Sequence, residues 1–163
     1  MIKINNTESD MNAEQQNLRI NNEEEKRSTI FERVRALGFP IGEYVVVGGV
    51  MEAHGLRKAN DIDIVVTKKY FDELSQLPEW ELQEFNYPDD RKYWLKGNGI
   101  DIMPGFSYND AYRPDTEQLI AGADIINGIP FIKLEELLKW KRAANREKDQ
   151  ADIETIERYM AKL

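Results

Sequence analysis

The sequence predicts an α/β (α+β) domain, a small β-sheet with helices before, between and after its strands. Two observations carry this. Short runs rich in β-branched residues, "EYVVVGGV", "NDIDIVVT" and "GIPFI", recur between stretches of helical periodicity. Turn-forming Gly, Pro and Asn punctuate the boundaries. With 163 residues and 41% hydrophobic content, the chain is large enough for one cored domain.

Residues 1–22 are rich in Asn, Gln, Glu and Ser and show little periodicity. They are expected to be a disordered polar tail, leaving 23–163 as the single domain. A helix is expected from about Asn22, with Ile30, Phe31, Val34 and Leu37 on its apolar face and Gly38 and Pro40 ending it. "EYVVVGGV" is the first strand, and its glycines open a short helix, "MEAHGLRK". "NDIDIVVT" is a second strand. "KKYFDELSQL" is helical through Tyr70, Phe71, Leu74 and Leu77, and Pro78 closes it. "WELQEFNY" and "KYWLKGNGIDIMPGF" are strands, the latter turning back at Gly97-Asn98-Gly99. A short helix around Glu117–Ala121, the strand "GIPFI", and helices near Leu134–Asn145 and Asp149–Ala161 complete the chain.

The formal net charge is −8, which disfavours general binding of long nucleic acid. No apolar run approaches the ~18 residues of a membrane span, so no membrane partner is expected. The absence of cysteine excludes disulfides, thiolate metal sites and cysteine nucleophiles. With no apolar secretion signal in the first residues, it fits a cytoplasmic address.

Within "NDIDIVVT", Asp61 and Asp63 interrupt an apolar strand. Residues i and i+2 of a strand share a face, with Cα atoms ~7 Å apart. Asp101 sits between Ile100 and Ile102 in a second such strand. If the two strands are neighbours, ~4.8 Å apart, three carboxylates share one small volume. Such a cluster raises its members' pKa values unless a cation neutralises it. Oxygen ligands alone suit Mg²⁺ or Mn²⁺, and a two-ion site of this kind clamps the attacking and leaving oxygens of phosphoryl transfer. A solvated sheet face is the competing interpretation. Gly48 and Gly49, just upstream, allow close approach of the backbone to a ligand, and the helix they open presents N–H groups to an anion.

"VVGGVMEAHGLRKANDIDIVV" together with "IDIM" resembles the nucleotidyltransferase superfamily, which includes DNA polymerase β and the small bacterial antibiotic and toxin nucleotidyltransferases. The shared pattern is a hydrophobic strand, Gly-Gly or Gly-Ser, then Asp-hydrophobic-Asp about ten residues on, and a third carboxylate on a later strand. Gly48, Gly49, Asp61, Asp63 and Asp101 fill these slots. Small bacterial members also have Arg-x-Thr-x-Asp leading into the first aspartate; Arg57 and Asp61 match, while Ala59 replaces the Thr. "KLEELLKWKRAANREKDQADIETI" is similar to their closing segment through Lys141, Arg146, Lys148, Asp149 and Asp152.

The resemblance implies a mixed sheet flanked by helices, the nucleotidyltransferase-like fold, with the triad on one face. It implies transfer of an NMP from an NTP, ATP being the one expected, to a hydroxyl acceptor with release of pyrophosphate. Asp61, Asp63 and Asp101 would be the catalytic and metal-binding residues, with Asp101 taking the acceptor's proton. Gly48, Gly49, Arg57 and Lys141 would bind the nucleotide. Lys141 is also singled out by its setting: residues 139–148 hold five bases and one acid in an acidic chain. The acceptor, whether small molecule, protein or RNA end, is left open. A homodimer contact or a protein partner would complete the cleft of so short a chain. The alternative is a non-catalytic nucleotide-binding or partner-binding, toxin–antitoxin-like module of the same fold. A metal-dependent phosphohydrolase is a third option, disfavoured by the single histidine.

Other conspicuous residues have plainer explanations. His54 is read as packing or surface. Trp80, Trp94 and Trp140 are read as core anchors, with Trp94 and Tyr93 the candidates for an acceptor pocket. Lys139 and Arg142 belong to a solvated helix face. Arg146 with Asp149 or Asp152 is either an ion pair between the last helices or part of the site.

Overall fold

The computed structural model of the chain describes residues 11–19, 29–87 and 90–163. Residues 11–19 form a helix, α1, exposed along its length. No helix was expected there, because the stretch lacks an apolar stripe to pack. The remaining residues of the 1–22 tail, and residues 22–28 of the expected first domain helix, lie outside the described residues.

Helix α2 (Ile30–Arg35) begins at a capping box, with the Thr29 hydroxyl accepting from Glu32 N and the Glu32 carboxylate accepting from Thr29 N. Then follow β1 (Tyr44–Gly48), α3 (Val50–Ala53), β2 (Ile62–Val66), α4 (Lys68–Leu74), β3 (Glu81–Tyr87), β4 (Asp90–Gly97), β5 (Ile100–Met103), α5 (Thr116–Ala121), β6 (Asp124–Ile126), β7 (Ile129–Phe131), α6 (Leu134–Ala144) and α7 (Glu147–Met160). The α/β class and the mixed sheet are as expected.

The sheet has seven strands in the order β3-β4-β5-β2-β1-β7-β6. β2 runs parallel to β5, and β1 parallel to β7; the other neighbours are antiparallel. Tyr44–Val47 of β1 and Ile64–Val66 of β2 are all buried, so the centre of the sheet is covered on both faces, as its continuous apolar runs require. Ile30, Val50, Ile102, Phe131, Ile132 and Ile156 bring the helices and flanking strands into the same core.

Two tight hairpins set the registers on either side. Asn98-Gly99, at φ +52° and +72°, joins β4 to β5. Asn127-Gly128, at φ +50° and +78°, joins β6 to β7. Both central residues of a type I′ hairpin loop need positive φ, which Asn and Gly tolerate. β6 was not expected from the sequence; it has only three residues and exists through its pairing with β7. Among the described residues, no helix is long and apolar enough to cross a membrane.

Candidate functional site

β2 and β5 pair with Asp63 directly opposite Asp101 and Ile62 opposite Ile100. Residues opposite each other in a parallel ladder share a face, so the two carboxylates project side by side while the isoleucines fill the core. Asp61 differs from the expectation that it lies within the strand. It sits at a bend one residue before β2 and is exposed. Its charge nevertheless reaches Asp63.

Asp63 is the electrostatically strained member. Its pKa is raised to about 6, first by burial and then by the neighbouring charges of Asp101 and Asp61, with Lys96 and Lys141 pulling the other way. Asp101 has a resident partner: Lys96 Nζ lies 3.2 Å from its Oδ1. Sequence reading missed Lys96, although hairpin arithmetic reveals it. A two-residue loop at Asn98-Gly99 pairs Gly97 with Ile100 and hence Lys96 with Asp101.

The two glycines are required by the protein itself. Gly48 stands opposite Asp63 across β1 and β2. A Cβ there would lie 2.2 Å from Asp63 Oδ2, so glycine leaves room for the carboxylate. Gly49 caps α3 at φ +114°, where a Cβ would meet Ile30 Cδ1 at 2.0 Å. α3 is a single turn of four residues and contributes little macrodipole. Glu52 stitches the surrounding chain, accepting from Ile30 N at 2.6 Å and from Ala59 N at 3.1 Å.

A cleft of about 1050 Å³ is lined among others by Gly48, Gly49, Asp61, Asp63, Arg57 and Lys141. No known protein family, curated protein or solved structure matches this chain. What the cleft is suited to do therefore follows from its own side chains.

Its second charged cluster joins three segments. Arg57 donates through Nε and Nη2 to both oxygens of Asp152, each at 2.8 Å. Lys141 donates to Asp152 at 3.0 Å and to Asp149 at 3.4 Å. Arg146 forks onto Asp149 at 2.7 and 2.9 Å. α6 ends at Asn145 in the left-handed region, and this sharp corner brings Lys141 against the start of α7. Asp149 is 1% exposed and Lys141 8%. Burial alone would raise the Asp149 and Asp152 pKa values, but hydrogen bonds and charges from Arg146, Arg57 and Lys141 more than offset it and hold both below the usual carboxylate range.

The tryptophans divide. Trp80 is buried in the core, as expected. Trp94 and Trp140 are half-buried and line the cleft; Trp140 also packs against the core, whereas Trp94 does not, which corrects its assignment as a core anchor. Trp140 stacks on Phe106 at 5.4 Å between ring centroids and lies under the Arg146 guanidinium at 4.9 Å. His54 packs on Tyr159, with Nδ1 3.4 Å from the phenol oxygen. Lys139 and Arg142 pair with Glu136 and Glu157 on the exposed side of α6.

The donor set fits a hard divalent cation. It consists of carboxylate oxygens, and Asp63 lacks full charge compensation. Among the described residues no three such side chains already stand at metal-ligand spacing. Asp101 is engaged by Lys96, and Asp61 lies ahead of the strand.

Proposed function

We propose that this chain is a Mg²⁺- or Mn²⁺-dependent nucleotidyltransferase that moves an NMP from an NTP, ATP foremost, to a hydroxyl acceptor. One observation carries the reading: Asp63 and Asp101 stand in register on adjacent parallel strands, Asp63 beside a glycine that makes room for its carboxylate and short of positive charge. Asp61, Asp63 and Asp101 would hold the cation, which when bound neutralises the carboxylates and the NTP phosphates.

The remaining work falls to the chain. Arg57 and Lys141 contact the triphosphate from the same cleft, held in place by Asp152. Gly48 makes room for the Asp63 carboxylate, and Gly49 lets the turn pack against Ile30. Asp101, released from Lys96, accepts the acceptor's hydroxyl proton. The acceptor oxygen bonds to the α-phosphorus, the bond to the bridging oxygen breaks, and pyrophosphate leaves. Positioning and charge stabilisation supply most of the rate enhancement in such a reaction. The cytoplasm, with its NTP pool, is the compartment proposed.

A second reading, a non-catalytic nucleotide-binding or partner-binding module, draws support from Lys96 occupying Asp101 and from Asp149 and Asp152 already pairing Arg57 and Lys141. Incubation with α-labelled NTPs, Mg²⁺ or Mn²⁺, and RNA, protein and small hydroxyl acceptors separates the two. The enzyme reading expects labelled product and pyrophosphate, both falling at least about a hundredfold in Asp63→Asn and Asp101→Asn. Cation-dependent NTP binding without pyrophosphate release supports the module. Turnover indifferent to Asp63→Asn overturns the proposed site.

A further inference from the structure

β4 is eight residues long, yet it pairs with β5 only through Leu95, Lys96 and Gly97. β5 ends at Met103, and Pro104 behind it has no N–H to continue the ladder. Gln83–Tyr87 and Asp90–Trp94, still paired with each other, therefore run on as a two-stranded ribbon beside the carboxylates.

Alternation gives the ribbon a defined face. Lys96 lies opposite Asp101 and is ion-paired to it. Trp94 and Lys92 follow at i−2 and i−4, on the same side of β4. The strip leading away from Asp101 thus reads ammonium, indole, ammonium. Trp94 rests on Phe85 with ring centroids 4.3 Å apart, which braces the indole. Lys92 Nζ donates to the Ser107 carbonyl at 3.1 Å, tying the ribbon to the loop after β5. Lys92 and Trp94 both line the cleft.

We propose that this face is the acceptor subsite and that it takes a nucleotide unit, its base stacked on Trp94, its phosphate on Lys92 and Lys96, and its 3′-hydroxyl directed to Asp101. Aromatic rings alternating with cations are the means by which single-stranded nucleic acid is held without base readout. The ammonium groups would repel a polycationic acceptor. The chain's charge of −8 limits attraction to local basic patches such as this strip, which suits one terminal nucleotide better than a long strand. A phosphate arriving at Lys96 would draw it away from Asp101 and free that carboxylate. The inference rests on the nucleotidyltransferase reading only for the fate of the hydroxyl: its oxygen bonds to the NTP's α-phosphorus, its proton passes to Asp101, and pyrophosphate departs with the electron pair of the broken bond.

The subsite is testable without turnover. The full chain, with EDTA and no NTP, is titrated into 5′-labelled hexaadenylate while fluorescence anisotropy is followed, with adenosine monophosphate as competitor. Binding should be saturable and salt-sensitive. Trp94→Leu should weaken it about tenfold or more. Lys92→Gln should reduce the log–log salt slope by about 0.7. Melting temperature and circular dichroism of both variants establish that they are folded. Competition by the monophosphate at similar concentration assigns the subsite to free nucleotides; oligonucleotide binding that the monophosphate does not displace assigns it to an RNA end. No binding of either probe, or binding unchanged in both variants, overturns the inference. Pyrophosphate release with some other acceptor but no binding of either probe would remove the subsite and keep the activity; binding without Asp63-dependent turnover would do the reverse.

Discussion

Asp149 and Asp152 on α7 and Asp63 on the sheet line the same cleft, and their surroundings push them in opposite directions. Asp149 and Asp152, on α7, are matched by Arg146, Lys141 and Arg57, and their pKa values are lowered. Asp63, facing Asp101 on the sheet, is raised to about 6 because burial and two neighbouring carboxylates outweigh the pull of Lys96 and Lys141. Burial is costly for every carboxylate; the local count of cations decides the outcome. The α7 pair is complete within the chain and holds α6, α7 and the Arg57 loop together. Asp63 is short of positive charge, the feature on which the proposed cation site rests.

The contrast breaks most visibly at Asp149. Asp149→Ala removes the fork that holds Arg146 and leaves Lys141 with Asp152 alone, and should lower stability by about 3 kcal/mol in urea unfolding. A loss below about 1 kcal/mol would mean the α7 cluster is not structural. Asp63→Asn should act in the opposite sense. Its carboxyl titrates near 3.8 when unfolded and near 6 when folded, so between those values the folded state holds more protons and stability falls as pH rises. The cost is fully absent below pH ~3.8 and reaches about 1–3 kcal/mol above pH ~6. In cation-free buffer the variant should therefore melt several degrees higher than wild type at pH 7.5 and equally at the lowest pH. Asp149 and Asp152 titrate the other way: their contribution is present above the ordinary carboxylate range and lost as pH falls through their lowered values.

Gly48→Ala sharpens the same comparison. Its Cβ must displace the Asp63 carboxylate, at about 1–3 kcal/mol, and divalent-cation affinity should fall with it. Calorimetric titration with Mn²⁺ measures the second effect. The smallest change is expected at the exposed Lys68–Asp72 pair on α4, where Lys68→Ala should shift stability by no more than about 0.5 kcal/mol.

Much of this arrangement was legible in the sequence, and the reasons are local. Apolar alternation around Asp63 and Asp101 marked both strands and the face each carboxylate takes. It did not show that β2 and β5 are neighbours, because β3 and β4 intervene in the chain. The Asn98-Gly99 turn, expected from the sequence, already encoded the Lys96–Asp101 pair that follows from it, and Asn127-Gly128 encoded the β6–β7 hairpin, which was not among the expected elements. The fork of Arg57 on Asp152 spans 95 residues and leaves no local trace, although the resemblance singled out both residues. Trp94 reads as core because periodicity distinguishes an inward face from a solvated one, and a cleft wall is half of each; Trp140 packs against the core and the cleft at once. Residues 11–19 form an exposed helix without the apolar stripe by which helices are recognised.

Divalent-cation binding tests the central claim most directly. Mn²⁺ titrated into the wild-type chain and into Asp63→Asn at pH 7.5, with free ion followed by electron paramagnetic resonance, should bind the first and bind the second at least about tenfold more weakly. Equal binding to both would contradict the account, because the uncompensated carboxylate on β2 would then have no part in holding the ion.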